Sequence, residues 1–296
     1  MKVSVIFNPA SGSRHGRRNR LEKIRKSLSE NGRIDFTIFE TAYPGHASQL
    51  ARESALRQDH ICFAAGGDGT MNEVATGLMD SQTSLGIIPM GSGNGLARHL
   101  QIPLRVEVAI KAQLNGQSIP MDCGDVNNTP FFLAAGIGFE GAVAARFATK
   151  KSRGFISYLF AAAEEFFRWK PLRYRAKYEE ENIQGEAFTI DFANGSQYGN
   201  NAIISPGAST DDGLLQFVRV LPFPLSAAPE MFFQLLGGKI NRSGYHIERA
   251  FTMLQLSIEG QSTIAGHVDG EPLVFQLPLM VRVHPKALLV RAPELH

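Results

Sequence analysis

Apolar residues fall in short runs bounded by glycine, asparagine and aspartate, and the runs change character near residue 123. In the first third, strand-like and helix-like spacings alternate. Residues 2–7 read as a strand. Residues 17–31 carry the helical period, and Gly32 suits the position just past its end. The pattern then predicts a strand at 34–39, a helix at 46–58, a buried strand at 60–65, a helix at 70–79 and a strand at 85–90. Two further helices follow, at 96–100 and 107–115. Strands separated by helices predict a parallel, doubly wound α/β sheet, and such sheets bind ligands beyond the carboxyl ends of their strands.

After residue 123 the runs become β-like: 124–126, 131–135, 172–178, 187–193, 201–205, 214–220, 252–258, 274–277 and 279–283. Turns rich in Asn, Gly, Asp and Pro separate them, which predicts a mostly antiparallel β-sandwich. Helical stretches at 141–149, 155–169 and 224–237 interrupt it. The expected domains are therefore an α/β domain over 1–122 and a β-sandwich over 123–284, with the tail 285–296 returning to the first domain as an option.

The chain has 296 residues, enough for two domains. It is 44% hydrophobic and 20% charged with a formal net charge of +2, so bulk charge implies no particular partner, nucleic acid included. Local charge is less even. Arg14, Arg17, Arg18, Arg20, Lys23, Arg25 and Lys26 form one basic stretch, Lys150, Lys151 and Arg153 a second, and Arg168, Lys170, Arg173, Arg175 and Lys177 a third. Each is a solvated face or an anion site: phosphate for the first, an anionic membrane surface for the others. The two cysteines, Cys62 and Cys123, show neither a disulfide framework nor a metal-ligand spacing, which suits reducing cytosol. No apolar stretch approaches the length of a membrane span, so membrane contact is expected to be peripheral.

The chemistry concentrates in loops. Gly66-Gly67-Asp68-Gly69-Thr70-Met71-Asn72 joins a strand to a helix, and such a turn presents backbone N–H groups to phosphate. A carboxylate beside phosphates needs an intervening cation, so Asp68 points to a nucleotide with Mg²⁺. Thr70 and Glu73 match a capping box. Asn8-Pro9-Ala10-Ser11-Gly12 follows the first strand, and Gly91-Ser92-Gly93-Asn94-Gly95 follows the fourth. Neighbouring parallel strands would bring all three loops to one sheet edge, with Ser92 able to donate to a phosphate. Thr41, after the second strand where the ribose or adenine side of a nucleotide commonly lies, is a weak signal and reads first as a structural threonine. In the second half, the segment from Ser205 through Ser209, Asp211 and Asp212 to Leu214 is either an ordinary Asp-Gly turn or a hard-cation site built on Asp212. The segment Gly266-His267-Val268-Asp269-Gly270-Glu271-Pro272 is either a hairpin turn or the source of a general base, with His267 a lesser option. Residues 155–169 carry apolar residues at helical spacing between basic flanks, a core helix or a lipid-docking one.

With these motifs assembled, the chain resembles the diacylglycerol kinase catalytic-domain family, which includes bacterial diacylglycerol and phosphatidylglycerol-type lipid kinases, sphingosine kinases and ceramide kinases. Asn8-Pro9 with Ser11-Gly12, the block from Gly66 to Glu73, Gly91 to Asn94, Ser205 to Leu214 and Asp269-Gly270-Glu271 stand in the family's order. The resemblance implies a nucleotide domain like that of NAD kinases and diacylglycerol kinases, then a β-sandwich domain, with the site between them. It implies that Asn8, Pro9, Ala10, Ser11, Gly12, Thr41, Ser92 and the residues Gly66, Gly67, Asp68, Gly69, Thr70, Met71 and Asn72 hold ATP. Asp68 would organise catalytic Mg²⁺. Asp212, with the carbonyls of Ser209 and Leu214, would hold a structural Mg²⁺. Glu271 would accept the proton of the attacking hydroxyl, with Asp269 as the fallback. Some bacterial diacylglycerol kinases carry Asn-Asp where this chain has Asn94-Gly95, so the resemblance does not name the lipid.

The expected protein is thus an ATP- and Mg²⁺-dependent lipid kinase, cytoplasmic and peripheral at the membrane surface, with a lipid substrate, no nucleic-acid partner and a homodimer as an option. Two other classes fit parts of the pattern: a soluble-substrate kinase of the NAD kinase type, and a non-catalytic nucleotide-binding regulator.

Overall fold

The computed structural model describes residues 1–11, 16–30, 34–139, 141–143, 164–166, 168–197 and 202–294. They form two compact units, Met1–Asp122 with Lys286–His296, and Cys123–Pro285. Gly12, Gly32 and the basic residues Arg14, Lys150, Lys151 and Arg153 lie outside the described residues, as do most of the helices expected at 141–149 and 155–169.

The first unit is an α/β layer structure. Strands β1 (Lys2–Phe7), β2 (Asp35–Glu40), β3 (Ile61–Gly66) and β4 (Ser84–Pro89) lie side by side in the order β2-β1-β3-β4, all parallel. Val3, Val5 and Phe7 alternate toward one face, where they join Phe63 and Ala65 beneath Ile24 of α1 (Arg17–Ser29) and Ile110 of α5 (Val106–Asn115). Helices α2 (His46–Leu56) and α3 (Asp68–Leu78) pack on each other. Their approach needs Gly77, because a Cβ there would stand 2.4 Å from the Ser48 carbonyl oxygen. Alternation gives the sheet two buried faces, which is why β3 and β4 are apolar throughout. A short helix, α4 (Gly95–His99), follows β4. Cys62, fully buried on β3, has its thiol pushed up to about 12, chiefly by desolvation, and is chemically quiet at neutral pH.

The expected capping box does not form. Helix α3 starts at Asp68 with Gly67 at its N-cap, two residues earlier than the pattern suggested. Glu73 instead accepts N–H bonds from Gly45 (2.9 Å) and Ala47 (3.1 Å) at the start of α2. That helix begins behind Gly45 at φ +85° and has no side-chain cap of its own, so its unpaired amides draw the neighbouring helix's carboxylate.

The second unit is a β-sandwich. Strands β7 (Ala134–Gly138), β10 (Thr189–Ala193), β11 (Leu215–Val220), β12 (His246–Phe251), β14 (Thr263–Val268) and β15 (Glu271–Gln276) form an antiparallel sheet in the order β12-β11-β10-β7-β14-β15. Facing it are β8 (Leu172–Tyr178), β9 (Glu181–Ala187), β13 (Met253–Ile258) and the first residues of β16 (Leu279–Ala292). Leu172, Tyr174, Leu254 and Leu256 meet Ile190, Phe192 and Phe217 in the core between the two sheets. The hairpin of β5 (Gln117–Val126) and β6 (Thr129–Phe131) completes the strands among the described residues. The far face of the six-stranded sheet is covered by α6 (Ala228–Leu236), whose Met231 packs with Val218 and Val220.

Several boundaries differ from the pattern. The run 131–135 is split between β6 and β7, and 187–193 breaks at Phe188. Strands β9, β12 and β14 were not anticipated, because they carry charges or glycines at the alternating positions. Strand β16 runs on past 283: its first residues pair with β13, and Val290 pairs in parallel with Leu85 of β4.

One buried side chain does the work of a strand. Gln113 of α5 accepts the Ile87 N–H through Oε1 (2.7 Å) and donates to the Ile87 carbonyl through Nε2 (2.7 Å). Replacing it with methionine keeps the volume and orphans both groups. Gln113→Met is therefore expected to lower unfolding free energy by about 2–4 kcal/mol in urea titration; a change within about half a kcal/mol would show that Ile87 is satisfied by other means.

Candidate functional site

Because β1, β3 and β4 are parallel neighbours, the loops that leave them lie at one edge of the first unit's sheet. The loop after β1 is tied to the start of α3 by two side chains. Asn8 donates through Nδ2 to Thr70 Oγ1 (2.9 Å), and the Gly67 N–H donates to Ser11 Oγ (3.2 Å). Asn8 Oδ1 also accepts the Ala10 N–H at 2.9 Å, which bends the chain sharply after the strand. From α1, Arg20 donates to the Ser11 carbonyl (2.9 Å), so one member of the first basic stretch is spent on shaping this loop. Lys23 instead pairs with Glu107 at 2.9 Å.

Asp68 links the other two loops. Its Oδ2 accepts the Asn94 N–H (3.0 Å) and its Oδ1 the Gly95 N–H (2.7 Å), at the start of α4. Asn94 holds its own turn closed: Oδ1 accepts from Gly91 N–H and Nδ2 donates to the Gly91 carbonyl, both at 2.9 Å, with Asn94 itself at φ +51°. The glycines permit this closeness. A Cβ on Gly91 would come 2.8 Å from Gly67 Cα, and one on Gly93 would come 2.8 Å from Asp68 Oδ2. Arg98, one turn into α4, donates to the Gly93 carbonyl at 3.0 Å. The result is a narrow backbone cradle with Ser92 exposed at its rim. Thr41 is on the same edge, after β2, its N–H bonded to the Phe7 carbonyl at 3.0 Å.

In the second unit, Asp269 and Gly270 form a two-residue hairpin turn between β14 and β15, both with positive φ (+47° and +84°). The Asp269 carboxylate accepts three backbone N–H bonds, from Phe132 (2.9 Å), Leu133 (2.8 Å) and Ala134 (3.1 Å). It therefore clamps the turn to the segment entering β7. Glu271, first residue of β15, is exposed. Asn194, which sequence reasoning passed over, is fully buried and donates to the Phe132 carbonyl at 2.8 Å, securing the same segment from the other side. Asp212 accepts the Leu214 N–H at 2.9 Å across Gly213 at φ +76°, and Ser209 donates its hydroxyl to Asp211. Among the described residues, no group of three or more His, Cys, Asp or Glu side chains converges as a metal site.

Sequence reasoning also passed over Arg98, Arg20 and Glu73 as shapers of these loops. Their partners are backbone atoms, which carry no residue identity to search for.

Residues 2–126 match the family described as the diacylglycerol kinase catalytic domain, and residues 134–292 match the YegS C-terminal NAD kinase beta sandwich-like domain. A Pseudomonas aeruginosa protein described as "Probable lipid kinase YegS-like" is 32% identical over 289 residues, covering 94% of this chain and 92% of the relative. A Bacillus subtilis diacylglycerol kinase is 28% identical, covering 91% and 92%. The crystal structure of a diacylglycerol kinase from Bacillus anthracis superposes with a TM-score of 0.76 at 22% identity, over 99% of this chain and 97% of that one, which establishes the shared fold. By its catalytic-domain and sandwich-domain matches together, the chain belongs to the diacylglycerol kinase-like lipid kinase family, a family of phosphotransferases.

Proposed function

We propose that the chain is an ATP- and Mg²⁺-dependent lipid kinase that transfers the γ-phosphoryl group to a hydroxyl of a diacylglycerol, phosphatidylglycerol or sphingoid-like acceptor. The observation that carries this reading is the Asp68 bridge, which holds two glycine-rich loops together at the edge where phosphate would bind. In this reading Asn8, Pro9, Ala10, Ser11, Gly12, Thr41 and Ser92, with the run from Gly66 to Asn72, hold the nucleotide. The loop amides stabilise charge that spreads over the phosphoryl oxygens during transfer.

The donor set around Asp68 fits Mg²⁺. Each carboxylate oxygen accepts one N–H bond and keeps lone-pair capacity. Mg²⁺ in such sites takes few protein ligands beside phosphate and water. When bound, the ion neutralises charge on the phosphates and so favours attack by an alcohol oxygen. Asp212, with the carbonyls of Ser209 and Leu214, would hold a second, structural ion in its exposed loop. Glu271 takes the proton as the acceptor oxygen bonds to the γ-phosphorus and the bond to the ADP oxygen breaks. Asp269 is the fallback base, and its three backbone bonds commit it foremost to the turn. The reaction belongs where ATP meets lipid, in the cytoplasm at the membrane surface.

Offering detergent-dispersed diacylglycerol, phosphatidylglycerol, a sphingoid base and NAD with labelled ATP tests the acceptor class. Label is expected on a lipid; label on NAD alone would make this a soluble-substrate kinase. Asp68→Asn is expected to cut turnover by about 10³-fold or more while the protein stays folded, as read by circular dichroism. Ordinary turnover in that variant would remove Asp68 from the mechanism. Glu271→Gln is expected to slow transfer by about 10²–10⁴-fold with stability unchanged. Asp269→Asn should instead cost about 1–3 kcal/mol of stability, because an amide cannot accept all three N–H bonds. The reverse assignment of these two effects would exchange the roles of Glu271 and Asp269.

A further inference from the structure

Helix α6 is more apolar than its packing requires. Its inward residues, Met231 and Leu235, join Ala193, Val218 and Val220 in a core on the far face of the six-stranded sheet. Its outward face also carries apolar residues, beside one exposed carboxylate, Glu230, which accepts the Gln234 amide at 2.8 Å. Phe233 is 71% exposed and Leu236 38%, and Leu225 in the turn before the helix is 52% exposed. Phe233 and Leu236 stand one helical turn apart, so they share a side. Pro222 and Pro224 stiffen the approach to the helix. Beyond its C-terminus, Lys239 and Arg242 are both exposed. A helix with apolar residues on both faces is normally buried all round; one left half in water marks an interaction surface.

We propose that the outer face of α6, with Leu225, Lys239 and Arg242, docks the second unit onto an anionic lipid bilayer. Apolar side chains of this size enter the boundary between headgroups and acyl chains, while flanking cations pair with lipid phosphates. With Lys239 and Arg242 against the single Gln234-bonded Glu230 the patch is net positive, which suits an anionic membrane better than a second copy, whose patch would carry the same net sign. The placement also serves the chemistry. Ile264 and Val268 of β14 point into the sandwich core, so by alternation positions 265 and 267 lie on the sheet face that α6 packs against. The strands under α6 and the strand leading to the Asp269–Glu271 turn thus belong to one sheet. The inference rests on the lipid-kinase reading for its purpose but not for its test.

The test is co-sedimentation of the full chain with vesicles of phosphatidylcholine alone, and of phosphatidylcholine with an equal part of phosphatidylglycerol. Wild type is expected to bind the anionic vesicles. The double variant Phe233→Glu, Leu236→Gln should bind them about ten-fold more weakly or worse. Its melting temperature and its turnover of detergent-dispersed lipid should stay unchanged. The double variant Lys239→Ala, Arg242→Ala should weaken binding to anionic vesicles only and reduce its salt dependence. Equal binding by the apolar variant, no binding by wild type, or a variant that changes only the oligomeric mass in light scattering would overturn the proposal. Vesicle binding that depends on α6 in a protein that phosphorylates no lipid would sustain the docking surface and overturn the kinase reading. Normal lipid phosphorylation with vesicle binding indifferent to α6 would do the reverse.

Discussion

Two hydrogen bonds organise the loop-bearing edge of the first unit's sheet. Asp68 begins α3, and its carboxylate reaches across to the Asn94 and Gly95 amides that begin α4. One acidic side chain at two helix starts offsets unpaired amides on both and fixes the spacing of the loops between them. The glycines at 91 and 93 follow from this, since a Cβ at either would press on the facing backbone or on the bridge. Asn8 and Ser11 then tie the first loop to the same α3 terminus. Substituting any member of this set changes the position of the others, so their effects on activity will not add.

The second unit repeats the device with different parts. Asp269 gathers three successive amides at the entry to β7, as Asp68 gathers two at the entry to α4. In both units an acidic residue next to glycine is first of all a backbone organiser. The chemistry proposed for each site depends on an architecture its own carboxylates hold in place.

Much of this was legible from the sequence, for a physical reason. Strands buried on both faces leave apolar runs, as in β3 and β4, and the edge strand β2 alternates instead, so β1 to β4 and the glycine-rich loops that end them could be placed from pattern alone. The sandwich was harder. Strand β9, with its sequence ENIQGEA, hides its pairing with β8 behind polar residues, and β12 and β14 carry charge or glycine where alternation would be sought. The capping box failed because Glu73 had a stronger claimant: the bare start of α2, reached only once the two helices pack. The roles of Gln113, Arg98 and Asn194 were beyond reach for the same reason, since each serves a backbone group far away in sequence or invisible as a residue type.

The return of Lys286–His296 to the first unit bears on how the protein is made. The Asp80 N–H bonds to the Ala287 carbonyl at 2.7 Å, Val290 pairs with Leu85, and Arg291 donates to the Gln113 carbonyl at 2.8 Å. Domains commonly fold in order as they leave the ribosome, N-terminal first. Here the first unit, though translated first, lacks the strand that flanks β4 until the whole sandwich has been made. Emerging chains carry β4 with an open flank throughout synthesis of the sandwich, and an unpaired strand flank invites association with other chains for as long as it lasts.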